Sequence, residues 1–346
     1  MSARMALPAL TVSALLAACA GSAQHQKTPQ HAATFSPPAT VASTAPASTA
    51  PAPPAPSPEA LVTAETENRM LVVALPSGRV VRWIPLPADP QDISAGSDTV
   101  VVASAAAGKV TMLAGAPLRP VKTLGGFGAP HIVAVADDHA YVTDDARGTL
   151  TTIDLRTRRE TSTVFVGAGA HHLSFDASRR IAWVALGESA DTIVILSTED
   201  PGRPRLIGRF DPGFRAHDLA FAPGGRQIWI TSANGRDVAA FGVMSEKPLF
   251  RVPVGPPPQH VIFDGSHAYL TSGYGATIEK VDAASGRILT RAPAPFGSFE
   301  LAGDSRYVVT SSLLRGTLAI YTAGLRLLRV VHLAPATREV AFSPPA

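Results

Sequence analysis

Histidine side chains recur at the start of short apolar segments in the middle of this sequence. His131, His171 and His217 each precede a run that ends in a bulky or apolar residue, and His172 and His260 stand in similar places. A neutral imidazole is a good ligand for zinc or copper ions. These residue types therefore predict metal chemistry, provided that the folded chain brings the segments together.

The histidine segments belong to a repeat of about forty residues. Its clearest element is a short run rich in Val, Ile, Tyr, Trp and Thr, residue types that favour β-strands. The seven copies of this run begin at Ala60, Val100, Ala140, Ala182, Ile228, Ala268 and Tyr307. Turn sequences such as Asp264-Gly265 separate each run from the strand before it. Four short strands in forty residues are typical of one blade of a β-propeller.

The two ends of the repeat region indicate that the repeats form a ring. Residues 60–79 align without a gap on residues 140–159, so the first copy begins at the second strand of its blade. The missing first strand is found at the other end, where residues 339–342 resemble residues 218–221. The sequence therefore predicts an all-β, seven-bladed propeller over residues 59–346, with four antiparallel strands per blade. Three N-terminal strands and one C-terminal strand build the closing blade, which leaves no exposed sheet edge at the joint.

The second-strand runs carry a resemblance to a known family. Tyr141-Val142-Thr143-Asp144 and Tyr269-Leu270-Thr271-Ser272 each follow a strand headed by Pro and His and a turn, and they resemble the YVTN-type (YncE-like) seven-bladed propellers. The resemblance implies an exported or surface protein, related in fold to cytochrome cd1 and lactonase propellers. It is informative about fold rather than activity, because this architecture carries many unrelated functions.

Side-chain alternation along a strand decides which histidines can share a site, because a shift of one residue turns a side chain to the other face. We count back from the last bulky or apolar residue of each first strand. His131, His171 and His217 stand four residues before it and form one column of equivalent positions, whereas His172 and His260 stand three residues before it and form a second column. This predicts a Cu or Zn site made by His131, His171 and His217 in the central channel. In the alternative interpretation, polar residues at the N-terminal ends of the first strands, called the strand heads, form hydrogen bonds with backbone groups in a water-filled channel.

The loops between the second and third strands lie at the same end of the blades as the strand heads. Together they predict a polar face of mixed charge, and loops on one face of a rigid scaffold are a common place for binding. Ordinary solvated loops are the alternative. The candidate binding residues on this face are His172, His260, Asp144, Asp145, Glu188, Asp237 and Tyr274.

The N-terminal region predicts export and lipid attachment. Arg4 precedes an apolar stretch, residues 5–18, that is too short to span a bilayer but suits a signal peptide. Leu16-Ala17-Ala18-Cys19 resembles the lipobox of bacterial lipoproteins, so residues 1–18 are predicted to be a signal peptide and Cys19 the lipidated residue. Residues 19–58 are predicted to be a disordered stalk rich in Pro, Ala, Ser and Thr. We expect an extracytoplasmic protein anchored to the cell membrane, or to the outer membrane of a two-membrane cell.

Several function classes are disfavoured by what the sequence does not contain. The formal net charge is only +3, and the basic residues form no run, so nucleic acid is not an expected partner. No known catalytic motif is present in the sequence, which makes an enzyme the less favoured class.

Three functions are compatible with the sequence. The first is a lipid-anchored, monomeric binding or scaffold module that takes a protein or glycan partner on its polar face. The second is an extracytoplasmic propeller that binds Cu or Zn through channel histidines. The third is a hydrolase of the lactonase kind.

Overall fold

Short strands make up almost all of the chain that the structure, a computed structural model, describes, namely residues 57–187 and 191–344. Within those ranges 28 strands form seven four-stranded antiparallel sheets, with one 3-10 helix at Glu65–Glu67. The predicted all-β, seven-bladed propeller is therefore confirmed. No helix in these ranges is long and apolar enough to cross a bilayer. The predicted signal peptide, Cys19 and all but the last two residues of the stalk lie outside the described residues.

Each blade is one sheet, and its inner strand comes first in the description. Blade 1 contains β28 (Thr337–Phe342), β1 (Glu59–Ala64), β2 (Arg69–Ala74) and β3 (Arg79–Pro85). Blade 2 contains β4 (Pro90–Ala95), β5 (Thr99–Ser104), β6 (Lys109–Ala114) and β7 (Arg119–Gly125). Blade 3 contains β8 (Pro130–Ala136), β9 (His139–Asp144), β10 (Thr149–Asp154) and β11 (Arg159–Phe165).

The other four blades follow the same order along the chain. Blade 4 contains β12 (Leu173–Asp176), β13 (Ile181–Ala185), β14 (Ile193–Ser197) and β15 (Arg205–Phe210). Blade 5 contains β16 (Ala216–Phe221), β17 (Gln227–Ser232), β18 (Asp237–Gly242) and β19 (Pro248–Pro253). Blade 6 contains β20 (Val261–Asp264), β21 (His267–Ser272), β22 (Thr277–Asp282) and β23 (Ile288–Pro293). Blade 7 contains β24 (Ser298–Gly303), β25 (Tyr307–Ser312), β26 (Thr317–Thr322) and β27 (Leu327–His332).

The inner strands surround a central channel. Each contacts the inner strand of the next blade, and β24 contacts β28, so the circle is complete. The second and third strands of each blade are almost wholly buried, whereas the fourth strands are largely exposed. The core of the protein therefore lies between the blades.

Large aromatic side chains from the second strands fill the spaces between blades 3 to 7. Trp183 packs on Phe210 and Phe221 at the boundary of blades 4 and 5, and Phe210 packs in turn on Phe241. Trp229 has the same place one blade further on. Burying an aromatic side chain of this size removes about 150–250 Å² from water, which contributes about 4–6 kcal/mol before entropic costs. The aromatic position of the repeat thus holds neighbouring blades together.

The closing blade is made of the strands that the two half-repeats predicted, namely three from the N-terminal end of the propeller and one from its C-terminal end. The C-terminal strand β28 pairs antiparallel with β1, placing Ala60 opposite Phe342 and Val62 opposite Val340. The Glu339 amide also donates a hydrogen bond of 2.9 Å to Thr63 Oγ1. The two ends of the propeller are therefore joined by an ordinary β-ladder.

Two turn glycines offer a matched test of how tightly the blades are joined. Gly316 and Gly265 both have left-handed backbones, with φ of 62° and 57°. A Cβ on Gly316 would lie 1.7 Å from the carbonyl oxygen of Ala334, whereas a Cβ on Gly265 would meet nothing within 4 Å. We expect Gly265→Ala to cost about 1–2 kcal/mol from the left-handed conformation alone. Gly316→Ala should cost more than about 4 kcal/mol, because the backbone of the adjoining loop must move.

Urea unfolding of the two variants measures this difference. Equal losses of the free energy of unfolding would show that the loop after β27 moves freely away from residue 316 and is not packed tightly against it.

Candidate metal centre

Five histidines converge at one mouth of the central channel. They come from the heads of the inner strands of four successive blades, blades 3 to 6. His131 and His217 lie in β8 and β16, His171 and His172 directly precede β12, and His260 directly precedes β20.

The strand heads are irregular, and this changes the grouping that side-chain alternation predicted. In β8, Pro130 pairs with Asp144 but the next pair is Val133 with Val142, so three steps on one strand match two on the other. A similar shift occurs at the head of β16. Such a bulge brings side chains of both columns toward the channel. The expected separation of His172 and His260 from the other three histidines is therefore not found.

The five imidazoles form a contiguous cluster with His172 at its centre. The ring centroid of His172 lies 4.6 Å from that of His171, 4.5 Å from that of His217 and 5.2 Å from that of His260. His131 stacks on His171 with 3.9 Å between centroids and 22° between planes. Each of the five imidazoles therefore contacts at least one other imidazole of the cluster.

Two groups of three within this cluster have the spacing of a metal site. Triad A is His131, His171 and His172, and triad B is His172, His217 and His260. Within each triad the candidate ligand nitrogens lie within 4.8 Å of one another. A tetrahedral zinc site with bonds of about 2.1 Å separates its ligand nitrogens by about 3.4 Å, so ligand atoms at the 4.8 Å limit would have to approach one another by about 1.4 Å. The predicted triad of His131, His171 and His217 is divided between these groups, which share His172.

Threonines of the second strands hold the strand heads in place. Thr143 Oγ1 accepts a hydrogen bond of 3.0 Å from the Ile132 amide in its own blade and donates one of 2.7 Å to the His171 carbonyl in the next. Thr271 makes the same kind of bridge between the His260 amide and the carbonyl oxygen of Phe299. The Thr of the YVTN-like run therefore positions the histidines. The repeated Thr was visible in the sequence, but a link to the neighbouring blade was not.

Two carboxylates contact the Nδ1 atoms of two imidazoles and so determine which ring nitrogen is free to bind a metal. Nδ1 of His171 lies 2.9 Å from Asp145 Oδ2, and Nδ1 of His260 lies 3.1 Å from Glu300 Oε2. A carboxylate that holds Nδ1 in this way orients the ring and leaves Nε2 as the ligand atom. Asp145, a predicted binding residue, thus orients His171 within the cluster.

His172 has the least usual environment of the five. It is only 5% exposed, and its Nδ1 has no hydrogen-bond partner within residues 57–187 and 191–344. A buried polar atom left without a partner costs about 1–3 kcal/mol. A metal ion that coordinates His172 would offset this cost.

Burial keeps most of the cluster in the uncharged form that binds metals. Desolvation, followed by the charges of neighbouring histidines, lowers the pKa of His131 and His172 well below the usual value and that of His217 to about 4. The pKa of His260 is lowered well below its usual value by the same burial. These imidazoles are therefore neutral at pH 7 and need not lose a proton when a cation arrives.

A layer of four acidic side chains lies beyond the histidines in the same channel: Asp92, Asp218, Glu300 and Glu339. Asp92 and Asp218 accept hydrogen bonds from the Val133 and Val261 amides of the next blade, at 2.6 and 3.1 Å. Burial raises the pKa of both aspartates to about 6 and raises the pKa of both glutamates well above the usual value. Asp92 and Asp218 thus act as the alternative interpretation describes, in which polar strand heads cap backbone groups.

The remaining predicted binding residues do not gather at one site. Asp144 is almost fully buried, and its carboxylate accepts hydrogen bonds from the amides of Gly128, Ala129 and Arg147, so the prediction that it faces a ligand is corrected to a structural role. Asp237 pairs with Arg251 at 2.8 Å. Glu188 lies outside the described residues, and Tyr274 is exposed at the channel mouth.

The histidines form one wall of a cavity of about 170 Å³. Tyr274, Phe299 and Leu313 from blades 6 and 7 form an apolar wall, and Arg338 of the closing strand also lines the cavity. The cavity is therefore open to solvent on one side.

The fold and the site together define a seven-bladed β-propeller with an imidazole cluster at one channel mouth. No protein-family model and no curated protein matches the chain. Solved propellers do match it, at sequence identities that show the fold alone. A functionally unknown protein from Desulfotomaculum acetoxidans is 17% identical, with a TM-score of 0.73 over 84% of this chain and 100% of that one.

Two further solved structures are similar over most of their own length. Apo AztD from Citrobacter koseri has a TM-score of 0.63 at 10% identity, over 83% of this chain and 98% of that one. Kuenenia stuttgartiensis hydrazine synthase has a TM-score of 0.64 at 11% identity, over 77% of this chain and 92% of the other. Membership of the YVTN type stays a prediction.

Proposed function

We propose that this protein binds Zn²⁺ or Cu²⁺ at the channel mouth through triads A and B. The observation that carries the proposal is the contact cluster of five imidazoles, in which two three-nitrogen sites share the buried His172. Isolated core histidines are common, but five converging rings of which four have lowered pKa values are not explained by packing alone.

The donor set favours borderline metal ions over hard ones. Triads A and B offer only imidazole nitrogen, which suits Zn²⁺ and Cu²⁺, whereas Ca²⁺ and Mg²⁺ require mainly oxygen ligands. The carboxylates of Asp145 and Glu300 lie behind the rings, where they orient the ligands. Between the two ions, the general order of affinities for nitrogen sites favours Cu²⁺.

The direct test is the metal content of the full-length protein, purified in detergent and dialysed against limiting Zn²⁺ or Cu²⁺. We expect one or two ions per chain, retained against a chelator of micromolar affinity. A protein that retains neither ion, while its melting temperature shows that it is folded, would reject the proposal.

Metal affinity at triad B should depend little on pH near neutrality. Three imidazoles with the ordinary pKa of about 6.5 would lose about 50-fold in affinity between pH 7.5 and pH 6, because protons compete for the ligands. The lowered pKa values of His172, His217 and His260 delay this competition to more acidic pH, so we expect a change below about twofold.

Chelator competition in a His131→Asn variant, which keeps triad B intact, measures this dependence. A peptide with three histidines serves as the control. A 50-fold loss in the protein as well would mean that the channel does not hold these rings in their neutral form.

We further propose that the propeller is held outside the cytoplasm by a lipid on Cys19. The support is the apolar segment 5–18 followed by the lipobox-like residues 16–19. Cys19→Ser is expected to move the protein from the membrane fraction to the soluble fraction of exported proteins. Retention of the variant in the membrane fraction would contradict the anchor.

Binding of a protein or glycan on the polar face remains a second candidate function. The specific observation in its favour is an aromatic patch at the channel mouth, where Tyr274 contacts Phe296 and Phe299 with ring centroids 5.7 and 5.5 Å apart. Tyr274 is 52% exposed. The same patch also borders the proposed metal site. A monomer remains the expected state.

A further inference from the structure

The cavity at the metal centre has two unlike walls. On one side the five histidines present nitrogen atoms, and on the other Tyr274, Phe299 and Leu313 present apolar surface. Gly273 allows the aromatic wall to form, because an added Cβ there would lie 2.0 Å from the Phe299 ring. A site that only stores an ion needs no apolar wall, and exposed aromatic surface beside convergent polar groups is typical of a small-molecule site.

The size of the cavity fits a ring or a branched alkyl group in addition to an ion. Its volume is about 170 Å³, and an engineered apolar cavity of about 150 Å³ holds benzene. The apolar wall borders this volume directly, so an apolar group that reaches in from the mouth would displace water from Phe299 and Leu313.

Charge at the site favours an anion. Imidazole coordinates a metal ion in its neutral form, so a divalent ion at triad A or B keeps its charge. Arg338 lines the same cavity as a second cation. Two carboxyl groups also line it: Glu300 pairs with His260 Nδ1 at 3.1 Å, and Glu339 accepts a hydrogen bond of 2.9 Å from the Val340 amide. One nitrogen of Arg338 pairs with Glu65 at 3.1 Å, which orients the guanidinium and leaves its other donors for a ligand.

Resting on the metal-binding function proposed above, we infer that the metal-loaded protein binds a small carboxylate with an aromatic or branched apolar group. The carboxylate coordinates the position on the ion that the three histidines leave open and accepts hydrogen bonds from Arg338. The apolar group lies against Tyr274, Phe299 and Leu313. The cavity is thus a binding site for an organic acid held through a metal ion.

Titration of the full-length, Co²⁺-loaded protein with phenylacetate tests the inference, because the visible spectrum of Co²⁺ reports a change of ligand. We expect phenylacetate to bind at least 10-fold more tightly than acetate, and phenylacetamide, which lacks the charge, to leave the spectrum unchanged. Apoprotein should bind phenylacetate at least 10-fold more weakly, as followed by calorimetry.

Two pairs of variants assign the effect to the named residues. Arg338→Gln should weaken phenylacetate binding at least 10-fold, whereas Arg329→Gln removes an exposed cation on the outer strand β27, outside the cavity, and should leave binding within twofold. Phe299→Ala should remove the advantage of phenylacetate over acetate, while Phe165→Ala, on the exposed outer strand β11, should keep it.

The outcomes separate this inference from the proposed function. Stoichiometric Co²⁺ with equal affinity for acetate and phenylacetate, or with no loss in Arg338→Gln, overturns the carboxylate site and leaves metal binding intact. No retained Co²⁺, Zn²⁺ or Cu²⁺ overturns both.

Discussion

His172→Asn is expected to weaken Zn²⁺ binding by about 10²–10³-fold at both triads. His172 belongs to triads A and B alike, so its loss leaves only two histidines in each. Structural zinc sites with four ligands bind with about 10–16 kcal/mol, which is about 2.5–4 kcal/mol for each ligand, and 1.4 kcal/mol corresponds to a factor of ten. Competition with a fluorescent zinc chelator at pH 7 measures the change.

Variants at other histidines distinguish a shared ligand from a general loss of structure. His131→Asn removes a ligand from triad A alone, so one site of unchanged affinity should remain. His332→Asn changes an exposed histidine on the outer strand β27 and should have no effect. A His172→Asn protein that melts like the parent and binds Zn²⁺ with parental affinity would show that His172 is not a ligand.

The zinc-bound state of the parent protein should also be more stable than the metal-free state. A ligand present at 100 times its dissociation constant stabilises a protein by about 2.7 kcal/mol. His172→Asn should lose this metal-dependent rise in melting temperature, while His332→Asn keeps it. This second readout shows that the bound ion sits in the folded channel.

The sequence predicted the architecture well because the repeat is regular where packing is most demanding. The second strands carry the aromatic and β-branched residues that fill the spaces between blades, and Tyr141, Trp183, Trp229 and Tyr269 are all almost fully buried. Selection on buried positions keeps a pattern that can be recognised without any alignment. The two half-repeats at the ends then required a ring.

The histidine cluster was predicted in part, because its positions are less regular than those of the core. The histidine residue types indicated the chemistry, but strict alternation divided them into two columns that the bulges at the heads of β8 and β16 bring together. The Thr143 bridge to the next blade depends on distances between blades, which no spacing along one chain encodes. Asp144 looked like a free loop carboxylate, and only the position of three amides around it reveals a structural role.

Removal of the last strand is expected to abolish the folded state. A chain that ends at residue 336 lacks β28, which pairs with β1 and completes the inner circle between β24 and β4. Its loss exposes the edge of β1 and the core face that Val340, only 3% exposed, covers. Domains of this kind are stable by only about 5–15 kcal/mol, so the loss of a whole inner strand exceeds what the remaining blades can supply. Circular dichroism of the truncated chain should show no cooperative melting transition.

Point variants and a peptide make this expectation specific to closure of the ring. Val340→Asp buries an unpaired carboxylate in β28 and should cost several kcal/mol, while Val330→Asp, 45% exposed on β27, should change the free energy of unfolding by less than about 0.5 kcal/mol. A peptide of residues 336–346 added to the truncated chain should restore the transition, because an added strand supplies the same backbone hydrogen bonds.

The metal centre gives the same experiment a second readout. Arg338 and Glu339 of β28 line the cavity with the histidines, so the channel mouth is incomplete until the ring closes. We therefore expect the truncated chain to lose Zn²⁺ binding and the peptide to restore it together with the melting transition. A truncated chain that melts cooperatively and binds Zn²⁺ like the full-length protein would show that six blades and an open seventh suffice, and that closure does not shape the site.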